Sequence, residues 1–346
     1  MPRVLSYAEK TAQTRTKQLR SLLSELPDAC ADFIYGIADT TSELTRLAYA
    51  YDLRLFFTYV AALKNRPATE ITYAEIQNLT VRDLENFQQY LSLYERDQST
   101  HTNAASGKMR KMSTLRSFYD YMYKHNYIAS NLAELIPLPK LHEKPIVHLE
   151  ADEIVRLLDT ADTGEALTDH QKFYHDQTRV RDVAILTLML GTGIRVSECV
   201  GLDLSDINYA ECAFRVTRKG GDQAILYFSA EVAKALQAYH SNRSMIQAVP
   251  GHENALFLSL QRKRITQRAV QNLTHKYARI ATPLKNISPH KLRSSFGTQL
   301  YRESGDIYLV ADVLGHADVN TTRRHYAAMS EQNRRRASQL VKLRED

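Results

Sequence analysis

Cys212-Ala213-Phe214-Arg215-Val216-Thr217-Arg218-Lys219-Gly220-Gly221-Asp222-Gln223-Ala224-Ile225-Leu226-Tyr227-Phe228 is a pair of alternating apolar runs on either side of a Gly-Gly turn. The pattern predicts a β-hairpin with strands at 212–218 and 223–228. The surroundings are helical in period. Residues 179–190 read as a buried helix that stops at Gly191-Thr192-Gly193, residues 151–159 read as another, and the chain after 230 is again helical. The 346 residues include only 12 glycines and 9 prolines, about 6% of the chain, where about 12% is usual. A sandwich or barrel needs more turn residues than that. The expected fold class is therefore mainly α, with one small antiparallel sheet.

Length alone suggests two domains. The clearest break is Ile136-Pro137-Leu138-Pro139-Lys140, followed by His142-Glu143-Lys144-Pro145. Three prolines in nine residues among charged neighbours read as an extended linker, set at 138–147 with the boundary near 145. Upstream, 39–137 reads as a helical domain. Thr40-Thr41-Ser42-Glu43 and Thr80-Val81-Arg82-Asp83 have the form of capping boxes. A third helix, 104–125, places Met109, Met112, Leu115, Tyr119 and Met122 on one face and Lys108, Arg110, Lys111 and Arg116 on the other. Residues 1–38 carry Arg3, Lys10, Arg15, Lys17 and Arg20 and are expected to be a solvated basic extension or a contacting arm. Residues 162–177 are polar and read as a loop, and His170 and His175 in it are spaced wrongly for a shared metal. Residues 148–346 form the second domain.

With 45 Lys and Arg against 39 Asp and Glu, the net charge is +6, which permits a polyanionic partner without requiring one. The longest apolar stretch, about 183–190, is too short to span a bilayer, so no membrane partner is expected. The N-terminus has no apolar run of the secretory kind. Cys30, Cys199 and Cys212 fit neither a disulfide framework nor a metal pair, and the expected location is cytoplasmic.

Four segments of the second half hold unusual residues: Gly191-Thr192-Gly193-Ile194-Arg195-Val196-Ser197-Glu198; Lys219 in the hairpin turn; Ser288-Pro289-His290-Lys291-Leu292-Arg293; and Leu314-Gly315-His316 ahead of Thr321-Thr322-Arg323-Arg324-His325-Tyr326. Each alone is weak. In this order they resemble the tyrosine recombinase family (phage-integrase-type, Xer/Cre-like), whose pattern runs Arg, hairpin Lys, His-x-x-Arg, Leu-Gly-His, Tyr. The resemblance covers about 146–346. The helical first half is similar, on weaker motifs, to the family's SAM-like core-binding domain, with Asn131-Leu132-Ala133 standing where Asn-Pro-Ala is common. The chain departs from the family in three places. The first forty residues have no clear counterpart in the shortest members. Asp222-Gln223 follow the turn glycines where simple members are lysine-rich, and ten residues separate His316 from Tyr326.

The resemblance implies a site-specific recombinase that cuts and rejoins double-stranded DNA through a 3′-phosphotyrosine, acting as a homotetramer on a specific site. Tyr326 would be the nucleophile. Arg195 and Arg293, with His316, would meet the phosphate oxygens, and planar guanidinium forks suit that task. His290 would take the phenolic proton and Lys219 would protonate the leaving 5′-oxygen. Glu198 would hold Arg195. No metal and no other cofactor is expected. Candidate DNA contacts are Lys108, Arg110, Lys111 and Arg116, on a face that is either solvated or phosphate-contacting. Thr266 caps a further helix that would show Arg264, Gln267, Arg268 and Gln271 to base edges or to phosphates. The departures and the basic leader tilt the biological setting towards a mobile element. Xer-type dimer resolution, a type IB topoisomerase-like activity and a catalytically silent DNA-binding regulator are the alternatives.

Overall fold

The computed structural model describes residues 7–96, 98–140, 146–218 and 222–315. The chain divides into two compact units, residues 1–144 and 145–346.

In the first unit the helices are α1 (Tyr7–Leu23), α2 (Asp28–Gly36), α3 (Glu43–Lys64), α4 (Tyr73–Gln77), α5 (Val81–Tyr90) and α6 (Ala105–Lys124), with a short hairpin of β1 (Tyr94–Arg96) and β2 (Ser99–His101) before α6. Thr80 and Asp83 cap α5 reciprocally, with Asp83 N donating to Thr80 Oγ1 at 3.2 Å and Thr80 N to Asp83 Oδ2 at 2.8 Å. The cap of α3 falls two residues later than the sequence suggested: Ser42 Oγ accepts from Thr45 N at 3.2 Å. The hairpin was not foreseen, because three-residue strands leave too little alternation to detect.

Phe56, Phe57, Phe87 and Phe118 form the centre of this core, with Phe56 and Phe87 centroids 5.1 Å apart and Phe57 and Phe118 5.8 Å apart. Residues 7–38, the described part of the expected solvated extension, differ from that expectation. Leu19, Leu22 and Leu23 of α1 and Cys30, Phe33 and Ile34 of α2 are buried in the same cluster. The charges of α1 mask an apolar stripe that begins only at its last turns.

The second unit runs α7 (Ala151–Thr163), α8 (Asp169–Thr192), α9 (Val196–Gly201), β3 (Ile207–Asn208), β4 (Ala213–Thr217), β5 (Gln223–Tyr227), α10 (Ala230–Ser244), α11 (Gln267–Ala281), α12 (Pro289–Ser304) and α13 (Ile307–Leu314). The expected loop at 162–177 is mostly the start of α8. Thr168 caps it by accepting from Gln171 N at 3.3 Å, and buried His175 donates from Nε2 to Ala161 O at 2.9 Å. The run from Ala184 to Leu190 is buried throughout, so α8 is the central post against which α7, α10 and α12 pack. The sheet is antiparallel in the order β3-β4-β5, with Phe214 opposite Leu226 and Val216 opposite Ala224.

Two ties anchor the start of this unit on α12. Leu149 N donates to Ser295 Oγ at 2.8 Å, and Arg302 pairs with Glu150 through both terminal nitrogens. The Arg302 hydrogen bond, aided by His148, lowers the Glu150 carboxyl from 4.5 to about 2. A depressed carboxyl contributes stability that is present above its unfolded value and lost as pH falls towards the folded one. Acid titration followed by circular dichroism is expected to show wild-type stability falling between pH 4.5 and about 2, with a shallower fall for Glu150→Gln. Parallel slopes would remove Glu150 from the account.

Candidate active site

The site is built where α8, α9, α12 and α13 end or begin. Gly193 terminates α8 in the left-handed conformation, φ +63°. A Cβ there would lie 2.5 Å from the Phe296 ring and 2.9 Å from Leu314 Cδ2. Both the turn and the close approach demand glycine. Gly193→Ala should cost about 1–2 kcal/mol from the backbone alone, and more from the clash; urea unfolding measures it, and an unchanged midpoint would refute it.

Arg195 follows this turn as the N-cap of α9. Its own N–H donates to Glu198 Oε2 at 3.0 Å while its Nη1 meets Glu198 Oε1 at 2.8 Å. Glu198, with a side chain only 5% exposed, thus caps the helix and aims the guanidinium with the same carboxylate. Its burial is compensated because both oxygens are bonded. From there Arg195 Nη2 reaches Gly315 O at 3.0 Å and Leu314 O at 3.4 Å.

Arg293 arrives at the same place from α12. It is 6% exposed, its Nη1 donates to Gly193 O at 2.6 Å, and its Nη2 donates to Leu314 O. His290, exposed, lies one turn earlier near the N-terminus of α12. Two guanidiniums therefore converge on the carbonyls that close α13. The last carbonyls of a helix have no partner within it and carry the negative end of its dipole, which is why cationic forks settle there.

Of the sequence-expected site residues, the structure brings Arg195, Arg293 and Glu198 together; Lys219, His316 and Tyr326 lie outside the described residues. Sequence reading missed Arg218, whose Nη2 donates to Val313 O at 3.4 Å. The only signal for it was its position next to Lys219. Among the described residues no group of three or more His, Cys, Asp or Glu is arranged to hold a metal ion, and no helix is long and apolar enough to cross a membrane.

The expected contact residues fare differently. Arg264 is not on the surface: its side chain is 8% exposed, its Nη1 donates to Val200 O at 3.1 Å and Leu202 O at 2.8 Å, and its Nη2 pairs with Asp203. It precedes the cap of α11, and its side chain turns to the end of α9 and the residues after it. Arg116 likewise ties α6 to the chain after it, with Nη2 to Ile136 O at 2.6 Å. Arg110 grips buried Asp52 through both terminal nitrogens, leaving half its side chain exposed. Lys108 donates to Ser92 Oγ at 2.6 Å and Lys111 to Asn103 Oδ1 at 2.7 Å, and burial lowers the Lys111 pKa. Thr266 caps α11 by accepting from Ala269 N at 3.1 Å. Arg268 is exposed near the start of α11, and Gln267 and Gln271 are half-buried.

Known proteins are similar to this chain in sequence and in fold. A model of the phage integrase family matches residues 148–333, and a model of the phage integrase N-terminal SAM-like domain matches residues 35–126. The tyrosine recombinase XerC of Pelobacter propionicus is 31% identical over 281 residues, 81% of this chain and 83% of that protein. The XerC of Caldanaerobacter subterraneus subsp. tengcongensis is 34% identical over 299 residues, 84% of this chain and 79% of that one. The Tn1549 transposon integrase, solved with a circular intermediate DNA, has the same fold at a TM-score of 0.63 and 16% identity, covering 88% of this chain and 98% of that one. The XerH site-specific recombinase bound to difH substrate gives 0.61 at 20% identity, over 83% and 76%. With the integrase model matching more than half of its length, the chain belongs to the phage integrase family and is a tyrosine-type site-specific recombinase.

Proposed function

We propose that this enzyme cleaves and rejoins double-stranded DNA at a specific recombination site through a 3′-phosphotyrosine on Tyr326. The observation that carries the reading is the convergence of Arg195 and Arg293 on one turn, Leu314–Gly315, directly ahead of His316 in the chain. Guanidiniums held in place before the substrate arrives can meet the charge that gathers on the non-bridging oxygens without reorganising.

In this scheme Tyr326 Oη attacks phosphorus while the bond from phosphorus to the 5′-oxygen breaks. His290 takes the phenolic proton, and Lys219 gives a proton to the departing 5′-oxygen. A phenol with an ordinary pKa near 10 needs both a base and a positive field at neutral pH. His316 adds a hydrogen bond to the phosphate. The new ester stores the energy of the old one, so a 5′-hydroxyl from a second strand reverses the step without a nucleotide cofactor. Glu198 orients Arg195 and touches no substrate.

Arg268, Gln267 and Gln271 at the start of α11, and the exposed half of Arg110, are the best remaining candidates for DNA contact. A homotetramer on two duplexes supplies the four nucleophiles that exchange of both strands requires; native-gel stoichiometry on a full site counts them. The last apolar stripe, Ala337, Leu340 and Val341, which would serve such an assembly, lies outside the described residues.

Two settings remain in play. The name shared by the relatives favours an Xer-type role, and the altered hairpin turn at Asp222-Gln223 favours a mobile element. Incubation with a nicked suicide substrate tests the chemistry through a denaturant-resistant protein–DNA adduct. Mapping the cleaved sequence then separates the settings: a chromosomal locus present once supports the first, and element ends support the second.

A further inference from the structure

Arg218 is the third guanidinium at the α13 terminus, and the scheme above does not use it. Its backbone N–H donates to Asp222 O at 2.7 Å, one step beyond the last strand pair Thr217 and Gln223. Its backbone therefore belongs to the hairpin. Its side chain leaves the hairpin and donates to Val313 O at 3.4 Å. It also lies flat against Gly315: a Cβ at that position would stand 2.3 Å from Arg218 Nη1 and 2.4 Å from Cζ. Gly315 adopts φ +59°, so this residue is glycine for two reasons, the left-handed turn and the guanidinium lying on it.

Three consecutive carbonyls, Val313, Leu314 and Gly315, are thus shared among Arg218, Arg195 and Arg293. Arg195 and Arg293 come from helix ends packed around α8. Arg218 alone comes from the sheet. It is the one described side chain that joins the β4–β5 hairpin to this turn by a hydrogen bond. In the chain, Arg218 is followed by Lys219, and Gly315 is followed by His316.

We propose that Arg218 is a positioning residue for strand cleavage: it pins the β4–β5 hairpin to the end of α13 and so limits where Lys219 can deliver its proton. The inference rests on the reading of Lys219 as general acid. Arg218 itself touches neither the phosphate nor the leaving oxygen. Its planar fork suits the task because it can lie on a glycine backbone and donate sideways at once, which an ammonium cannot.

The test is single-turnover cleavage on two substrates, an ordinary phosphodiester and one carrying sulfur in place of the 5′-bridging oxygen. A sulfur leaving group departs without a proton. Arg218→Ala is expected to slow cleavage of the ordinary substrate roughly ten- to hundred-fold, and to stay within about three-fold of the parent on the sulfur substrate. Arg218→Lys, which keeps the charge and a donor, should lie between, and covers the case in which the alanine variant folds poorly. Lys219→Ala run alongside should show the same rescue more strongly. If Lys219→Ala is rescued by sulfur and Arg218→Ala is equally slow on both substrates, the proposal is overturned while the acid keeps its role. An Arg218→Ala enzyme as fast as the parent on both also overturns it. If Lys219→Ala is not rescued, the acid reading fails and takes this use of Arg218 with it.

Discussion

Tyr326→Phe is expected to abolish the covalent protein–DNA adduct completely while leaving affinity for the site within a few-fold. The substitution removes one oxygen and no charge. The ring that fills the same space is retained, and the phosphate contacts proposed for Arg195 and Arg293 do not depend on the hydroxyl. Chemistry, by contrast, has no substitute for a missing nucleophile: with no attacking oxygen there is no ester to accumulate. A denaturing gel with labelled nicked DNA reads the adduct, and a gel shift on the same preparation reads binding. If the phenylalanine variant still forms the adduct, the nucleophile is elsewhere. Tyr308 on α13, 71% exposed, is then the next residue to replace, followed by Tyr301.

Arg293→Lys is the second large effect. Conserving the charge does not conserve the function here. Arg293 spans from Gly193 O to Leu314 O with its two terminal nitrogens, and a single ammonium can satisfy one end of that span at most. Either Gly193 O is left without its donor, at about 1–3 kcal/mol, or Leu314 O keeps only the longer bond from Arg195 at 3.4 Å. The planar fork proposed for the phosphate is lost as well, and removal of one preorganised donor of this sort slows chemistry by about 10²–10³. Single-turnover cleavage and urea unfolding should therefore both move. A lysine variant with full stability and full rate would show that the residue serves neither purpose.

The hairpin at 212–228, the buried run in α8 and the Thr80 cap were legible because each depends on local pattern. Alternation, apolar period and a hydroxyl three residues before a carboxylate are visible in the letters. The motifs around Arg195 and His290 were legible as a combination, although each was weak alone. What the sequence could not show depends on tertiary partners. Arg264 and Arg268 sit four residues apart in one basic run, yet one is buried against Asp203 and the other faces solvent. Nothing local distinguishes them. Arg116 looked like part of a cationic face until the carbonyls of Ala133 and Ile136 appeared beside it. Leu19, Leu22 and Leu23 could not be told from solvated leucines of a basic leader because their partners on α3 are far along the chain. Arg218 was hidden for the same reason, since Val313 is 95 residues away.

Active-site residues in many enzymes are costly to the fold, so that discarding them yields a sturdier, inert protein. The carbonyl-bound arginines at the end of α13 reverse that relation. The side chains proposed to handle the phosphate also close the terminus of a helix and hold three chain segments to one another. A lineage that ceased to need strand transfer would no longer be selected to keep a nucleophile at Tyr326. It could not shed Arg293 without replacing the donor that Gly193 would then lack and leaving Leu314 with only the longer bond from Arg195. Decay of such an enzyme into a silent DNA-binding relative should therefore begin at the nucleophile and reach the arginines last, so that an intact pair of arginines records the fold's requirements as much as the activity's.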